Sequence, residues 1–207
     1  METRRAEFIL AVEAAGISMI DDSAVLSEAD ARSLILDAGL WIGQRQGLEE
    51  DPRFRQLIPY IVVSDGNSLL GYRRGAAGSE ARLHGRWSVG FGGHIDLCDV
   101  RYSRSVIDLH RTIQVSARRE LTEEVGLNSA EVLSQSFLGL IAISDSPVER
   151  VHLGWVEVWR VPRFDHLGST ELPVESVHPI NPGEASPDEF ERWSSLAIEM
   201  VRRSESN

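Results

Sequence analysis

The rhythm of hydrophobic and polar positions changes several times along the chain, and each change marks an element. Residues 6–20 carry apolar side chains with neither a helical nor an alternating period, which predicts a short strand or loop. Ser27 then opens a helix as an N-cap serine. Asp30 lies in its first turn, Ala31, Leu34, Ile35 and Ala38 share one face, and Gly39 supplies the stop. Residues 43–55 are charged and contain Asp51-Pro52, so they predict a loop. Leu57–Val63 is apolar and β-branched, and Asp65-Gly66-Asn67 turns it into Ser68–Arg74, the pattern of a hairpin. Gly75–Glu80 predicts a second loop, and Leu83–Phe91 another strand.

Helical spacing returns over residues 105–125, with Gly126 as the terminating glycine. Val132–Ile143 and Val151–Val161 predict two more strands, joined through Asp145-Ser146-Pro147. Residues 163–185 are rich in proline, serine and glycine and predict mostly loop. Ser186-Pro187-Asp188-Glu189 has the form of a capping box with proline at the first helical position. Phe190, Trp193, Ala197, Met200 and Val201 then share one face of a last helix over 186–203. This order of strands and helices predicts an α+β or α/β sandwich with helices on a mixed sheet. Residues 1–55 are expected to form an N-terminal extension packed on the domain that follows.

Composition narrows the class. A chain of 207 residues can bury roughly 70% of the surface it exposes when unfolded, so it needs no disulfide or metal staple. Its 42% hydrophobic and 26% charged residues exclude disordered and collagen-like classes. The net charge of −11 repels nucleic-acid phosphates and anionic lipid, so neither a nucleic acid polymer nor a membrane is expected as a partner. Cys98 is the single cysteine, which rules out an intrachain disulfide. No apolar run approaches the ~20 residues that span a bilayer. Phe8–Val12 follows two arginines, yet Glu13 ends it short of the roughly 7 to 15 residues of a signal-peptide core, so a cytoplasmic location is expected.

Candidate chemistry lies in Arg119-Glu120-Leu121-Thr122-Glu123-Glu124-Val125-Gly126-Leu127. On a helix, Glu120, Glu123 and Glu124 span an arc of roughly 100°, and three carboxylates that close repel one another unless a cation lies between them. Arg119, four residues before Glu123, offsets part of that repulsion. A solvated acidic face is the plain reading of three such acids. Glu124 argues otherwise, because it follows Leu121 by three and Ala117 by seven and so projects from the apolar stripe. A buried carboxylate needs a partner, and a hard divalent cation such as Mg²⁺ is one that oxygen ligands hold well. Upstream, Gly90-Phe91-Gly92-Gly93-His94 places a glycine pair at a strand end, where backbone can approach a ligand closely.

These segments resemble a known family. Arg119–Leu127 matches the second half of the Nudix box, Arg-Glu-aliphatic-x-Glu-Glu-x-Gly-aliphatic, and Gly92-Gly93-His94 is similar to its glycine-rich opening. The run-in Leu83–Ser88 is also similar, and the resemblance covers residues 56–160, near a subgroup of MutT-like phosphoesterases. It implies an α+β Nudix-type α/β/α sandwich with a mixed sheet, built by residues 56–207. It also implies hydrolysis of a pyrophosphate linkage with Mg²⁺ or Mn²⁺, in a nucleoside diphosphate joined to another group. By matching positions, Glu120, Glu123 and Glu124 would hold metal with the carbonyl of Gly93 or Gly92. Glu120, Glu123 and Arg119 would form the catalytic group, Arg119 orienting a glutamate.

The match is incomplete. Gly93 and Arg119 stand 26 positions apart, 12 more than in the family pattern, and Arg111 occupies the place of the early glutamate. An insertion around residues 97–110 therefore separates the two halves, either as a loop or as an N-terminal extension of the helix. Asp96 or Asp99 is positioned to replace the lost acid or simply to decorate the loop. Glu149 is a candidate base or substrate contact, and His152 a candidate phosphate contact or structural residue. Arg74, Arg86 and Gly92 are the candidate substrate-binding residues, with Arg73 and Arg82 beside them. Tyr60, Tyr72 and Trp87 offer stacking faces or core. Cys98 has no cation or base beside it in sequence to activate a thiolate. A non-catalytic Nudix-fold nucleotide sensor is the alternative reading, ahead of an interaction domain that docks through helix 186–203. The expected partner is a small-molecule diphosphate, and the first fifty residues are positioned to cover a homodimer interface.

Overall fold

The computed structural model describes residues 7–74, 85–168 and 174–205, and the side chains of Arg74 and residues 174–176 lie outside that description. In chain order the first elements are β1 (Phe8–Glu13), β2 (Asp22–Ala24), α1 (Glu28–Ala38), β3 (Leu40–Gln44), α2 (Arg45–Glu50) and β4 (Phe54–Ser64). Next come β5 (Leu69–Arg74), β6 (Trp87–Ser88), β7 (Gly90–Phe91), β8 (Tyr102–Ser103), β9 (Val106–Ile107) and α3 (Leu109–Val125). The chain ends with β10 (Ser134–Ala142), α4 (Pro147–Arg150), β11 (His152–Arg160), β12 (Val174–Ile180) and α5 (Arg192–Glu205). They form two compact units. The first comprises Met1–Pro59, Gly93–Ser116 and Gly139–Trp155, and the second Tyr60–Gly92, Ala117–Leu138 and Val156–Asn207. The architecture is the α+β class expected, strands of a mixed sheet with helices.

In the first unit β1 pairs antiparallel with β3, from Phe8↔Gln44 to Val12↔Leu40, and with the start of β4 at Ala11↔Gln56. Ile9, Leu10, Ala11 and Val12 are all buried, so the lack of alternation in this segment reflects a strand covered on both faces. α1 begins where Ser27 caps it: the serine Oγ accepts the Asp30 N–H at 3.1 Å, and Gly39 closes the helix at φ 99°. The expected loop over 43–55 instead contains α2, whose Leu48 is buried against Ile9, Ala11 and Phe54. The insertion is neither a bare loop nor more helix: it holds a 3₁₀ turn at Leu97–Asp99 and the β8–β9 hairpin.

In the second unit β5 pairs with β12, from Val174↔Arg74 to Ile180↔Leu69, and the segment 163–185 expected to be loop therefore contributes a strand. The predicted strand Leu83–Phe91 is two short strands, with its first two residues outside the description: β6 on β5 and β7 on β4. Ala117, Leu121 and Val125 of α3 are buried with Ile61, Phe91 and Trp159 in one cluster. α3 stops as predicted, with Gly126 at φ 72° and the Leu127 N–H reaching back to the Leu121 carbonyl. α5 starts later than the capping box implied. Pro187–Glu189 is a separate 3₁₀ turn that Ser186 does not cap by its side chain, and the helix runs from Arg192. Ala197, Met200 and Val201 lie on its buried face as expected. Among the described residues no helix is long and apolar enough to cross a membrane.

Candidate metal and hydrolase site

The C-terminal half of α3 presents the acidic residues. Arg119 Nη1 donates to Glu120 Oε1 at 2.8 Å and to Glu123 Oε2 at 3.1 Å, the second being the i,i+4 pair that the spacing predicts. One guanidinium thus orients two of the three carboxylates. Glu120 is largely shielded and Glu123 open, with side-chain exposures of 15% and 44%. Glu124, half-buried on the edge of the apolar stripe, finds the partner that its position demands. Its Oε2 accepts the Gly92 N–H at 2.9 Å, a charge-assisted bond across 32 residues of sequence. Gly92 has φ 142°, a conformation that side-chain-bearing residues rarely adopt. The box glycine and the box helix therefore meet in the second unit. All the side-chain donors are oxygens, a set that suits Mg²⁺ or Mn²⁺ and not a soft metal.

Gly93 begins the next stretch of the first unit, followed by His94. The His94 and His152 Nε2 atoms are 3.4 Å apart, and His152 Nδ1 lies 2.6 Å from the Val148 carbonyl, which places the His152 proton on Nδ1. Burial above all, with Arg45 and His152 nearby, lowers the His94 pKa to about 3, so its imidazole is neutral at pH 7. Glu149 lies in α4 instead of an exposed loop; it is 9% exposed, and its N–H is capped by Ser146 Oγ. Arg55 ties this region together. It donates to the Ile143 and His152 carbonyls and to Ser144 Oγ, and burial, then Arg150, lowers its pKa.

The remaining candidates divide. Asp96 and Asp99 cap the 3₁₀ turn reciprocally, the Asp96 N–H donating to Asp99 Oδ2 at 3.1 Å, and Asp99 is buried. Cys98 is exposed, and its Sγ lies 4.0 Å from Asp99 Oδ1. Arg86 Nη1 donates to the carbonyls of Asp188 and Phe190, holding the turn before α5. Arg82 and the Arg74 side chain lie outside the described residues. Tyr60 and Tyr72 are buried core residues and offer no stacking face, while Trp87 meets His178 edge-on. Sequence reasoning missed Arg55 as well as Ser88, Glu191 and Ser194, which form a buried polar group below the glycine strand. Their partners are about a hundred residues away, beyond the reach of local spacing.

No protein-family model matches the chain. The crystal structure of Tm1382, a candidate Nudix hydrolase, superposes with a TM-score of 0.74 over 96% of this chain and 99% of its own, at 25% identity. The NUDIX domain of Shewanella oneidensis NrtR, complexed with ADP ribose, shares the fold at a TM-score of 0.53 and 14% identity, over 73% of this chain and 88% of that one. With the box helix and its glycine in place, the chain belongs to the Nudix hydrolase family. Among individual proteins, it is similar to protein YmaB of Bacillus subtilis strain 168, 37% identical over 162 residues, which is 76% of each chain.

Proposed function

We propose that this chain hydrolyses a phosphoanhydride bond in a small-molecule diphosphate, a nucleoside diphosphate joined to another group, with Mg²⁺ or Mn²⁺ as cofactor. The observation that carries the reading is the bond from the Gly92 amide to Glu124, made while Arg119 gathers Glu120 and Glu123. Glu120, Glu123 and Glu124 are the proposed metal ligands, with the Gly93 carbonyl as a further oxygen. Divalent cations held there would neutralise phosphate oxygens and lower the pKa of a bound water. Arg119 fixes the rotamers of two ligands before any ion arrives, which limits the reorganisation that binding requires. The Gly92 amide does the same for Glu124. Arg74, Arg86 and Glu149 are the proposed substrate contacts; for Arg86 that role is confined to the donors left after it binds the Asp188 and Phe190 carbonyls.

Nucleotide sugars, dinucleotides, damaged nucleotides and non-nucleotide pyrophosphates, offered with Mg²⁺ or Mn²⁺, make the test. One member of that panel is expected to release a monophosphate. Glu123→Gln and Glu124→Gln should each slow its turnover at least ~100-fold, because charge stabilisation of the transition state is lost while the fold is kept. Unchanged turnover in both variants refutes the assignment. Arg111 at the place of the early box glutamate favours one second reading, a nucleotide sensor. Thermal stabilisation by a nucleotide in EDTA, without turnover under any metal, would select it.

A further inference from the structure

Glu191 is a buried carboxylate of the second unit, 5% exposed, with no part in the proposed reaction. It precedes α5, and its carbonyl accepts the Ser195 N–H, so its charge lies at the favourable end of the helix dipole. Its Oε1 accepts from the Ser88 hydroxyl at 2.7 Å, from Tyr60 at 3.2 Å and from Ser194 at 3.3 Å. Burial, and then the Glu191 charge, hold the Tyr60 phenol well above its usual pKa, so it stays a donor. Stability alone does not call for such a group, since an apolar side chain of similar volume often serves a core as well as a buried charge.

What the group does is fix a strand where its ladder is weakest. Ser88 pairs with Tyr72 on β5, whereas Gly90 pairs with Val62 on β4, so the chain changes partner at Val89. The Val89 N–H is taken by Ser194 Oγ at 3.0 Å, and the hydroxyl of Ser88 by Glu191. The Glu191 N–H donates to the Trp87 carbonyl at 3.0 Å. Gly90 lies on the Tyr60 ring so closely that a Cβ there would overlap the ring, and the Tyr72 hydroxyl donates to the Gly90 carbonyl at 3.3 Å. Two residues further on is the Gly92 amide that Glu124 accepts. Because successive strand positions face opposite ways, a slip of one residue at the switch would turn that amide away.

We infer that Glu191 and Ser194, at the start of α5, are positioning residues for the metal-binding carboxylates: they hold the partner switch at Ser88–Gly90 in the register that delivers the Gly92 amide to Glu124. The inference rests on reading α3 as a metal site. Titration of the full chain with Mn²⁺, followed by the EPR signal of the free ion, provides one readout. Ser194→Ala and Glu191→Ala should each weaken Mn²⁺ binding about tenfold, the scale of a lost outer-shell contact. Glu191→Gln keeps the Oε1 acceptor and should recover most of the affinity. Arg202→Ala, at the far end of α5 where the guanidinium holds the Pro182 and Ala185 carbonyls, should lower Tm without moving the Mn²⁺ constant. The second readout is the Gly92 amide resonance, which reports its bond to Glu124 with or without metal. Ser194→Ala should shift it in the same direction as Glu124→Gln does. Unchanged Mn²⁺ affinity with an unchanged Gly92 resonance in Ser194→Ala overturns the inference, and this one-oxygen deletion keeps the test open even if Glu191→Ala does not fold. A wild-type chain that takes up no Mn²⁺ defeats the metal reading instead, and the Gly92 resonance then decides by itself whether α5 positions the glycine.

Discussion

At His94, burial outweighs the ordinary affinity of an imidazole for a proton, with Arg45 and His152 adding to the effect. Its folded pKa of about 3 lies below the unfolded value of roughly 6.5, so the stability it contributes is complete above pH 6.5 and is lost as pH falls toward 3. Denaturant melts at pH 7.5 and 4.5 should therefore show wild type losing about 2.7 kcal/mol more than His94→Gln. Equal losses would mean that the ring is protonated in the folded chain. Gln56 presents the opposite case, a polar group without compensation. It is fully buried, and neither amide atom has a hydrogen-bond partner among the described residues. An unsatisfied buried amide costs about 1–3 kcal/mol, so Gln56→Met, close in volume, should raise the denaturation midpoint. A lower midpoint would show that the amide is satisfied in solution.

Elements differ in how much of their stability is local, and that difference decides what could be read from sequence. α1 is local: its cap is a serine hydroxyl three residues from the amide it serves, and Ser27→Ala should cost about 1 kcal/mol by thermal or chemical melting, with no change in metal binding. Its bounds were legible for the same reason, as were the end of α3 at Gly126 and the meeting of Arg119 with Glu123. The Glu124 partner was legible as a need, although nothing near it in sequence named the Gly92 amide. β12 was not legible, because Pro179 and the polar residues around it suit a strand only when β5 supplies the ladder. α5 misled for a related reason. Its capping-box residues are real turn formers, yet Glu191 is drawn into bonds with Ser88 and Tyr60, and the helix begins one residue after it. Strand 83–91 divides at Val89 because its neighbours change, which no periodicity within the segment records.

Taken as a whole, the chain carries 32 acids against 21 bases, and this excess bears on how a cation and an anionic substrate reach it. Self-repulsion at net charge −11 weakens the compact state, so any salt that screens it should raise Tm somewhat. A cation that binds the glutamates does more than screen, because it adds RT ln(1 + [L]/Kd) to stability. At ten times Kd that is about 1.4 kcal/mol, or roughly 3–6 °C for a chain of this length. Millimolar Mg²⁺ or Mn²⁺ should thus raise Tm above NaCl of equal ionic strength, and EDTA should reverse the difference. Glu120→Gln combined with Glu123→Gln should abolish it while leaving the NaCl response intact, since only two of the 32 acids are neutralised. If Mg²⁺ and matched NaCl raise Tm equally in wild type, the cation acts only on the general field of the protein, and α3 is an acidic surface instead of a site.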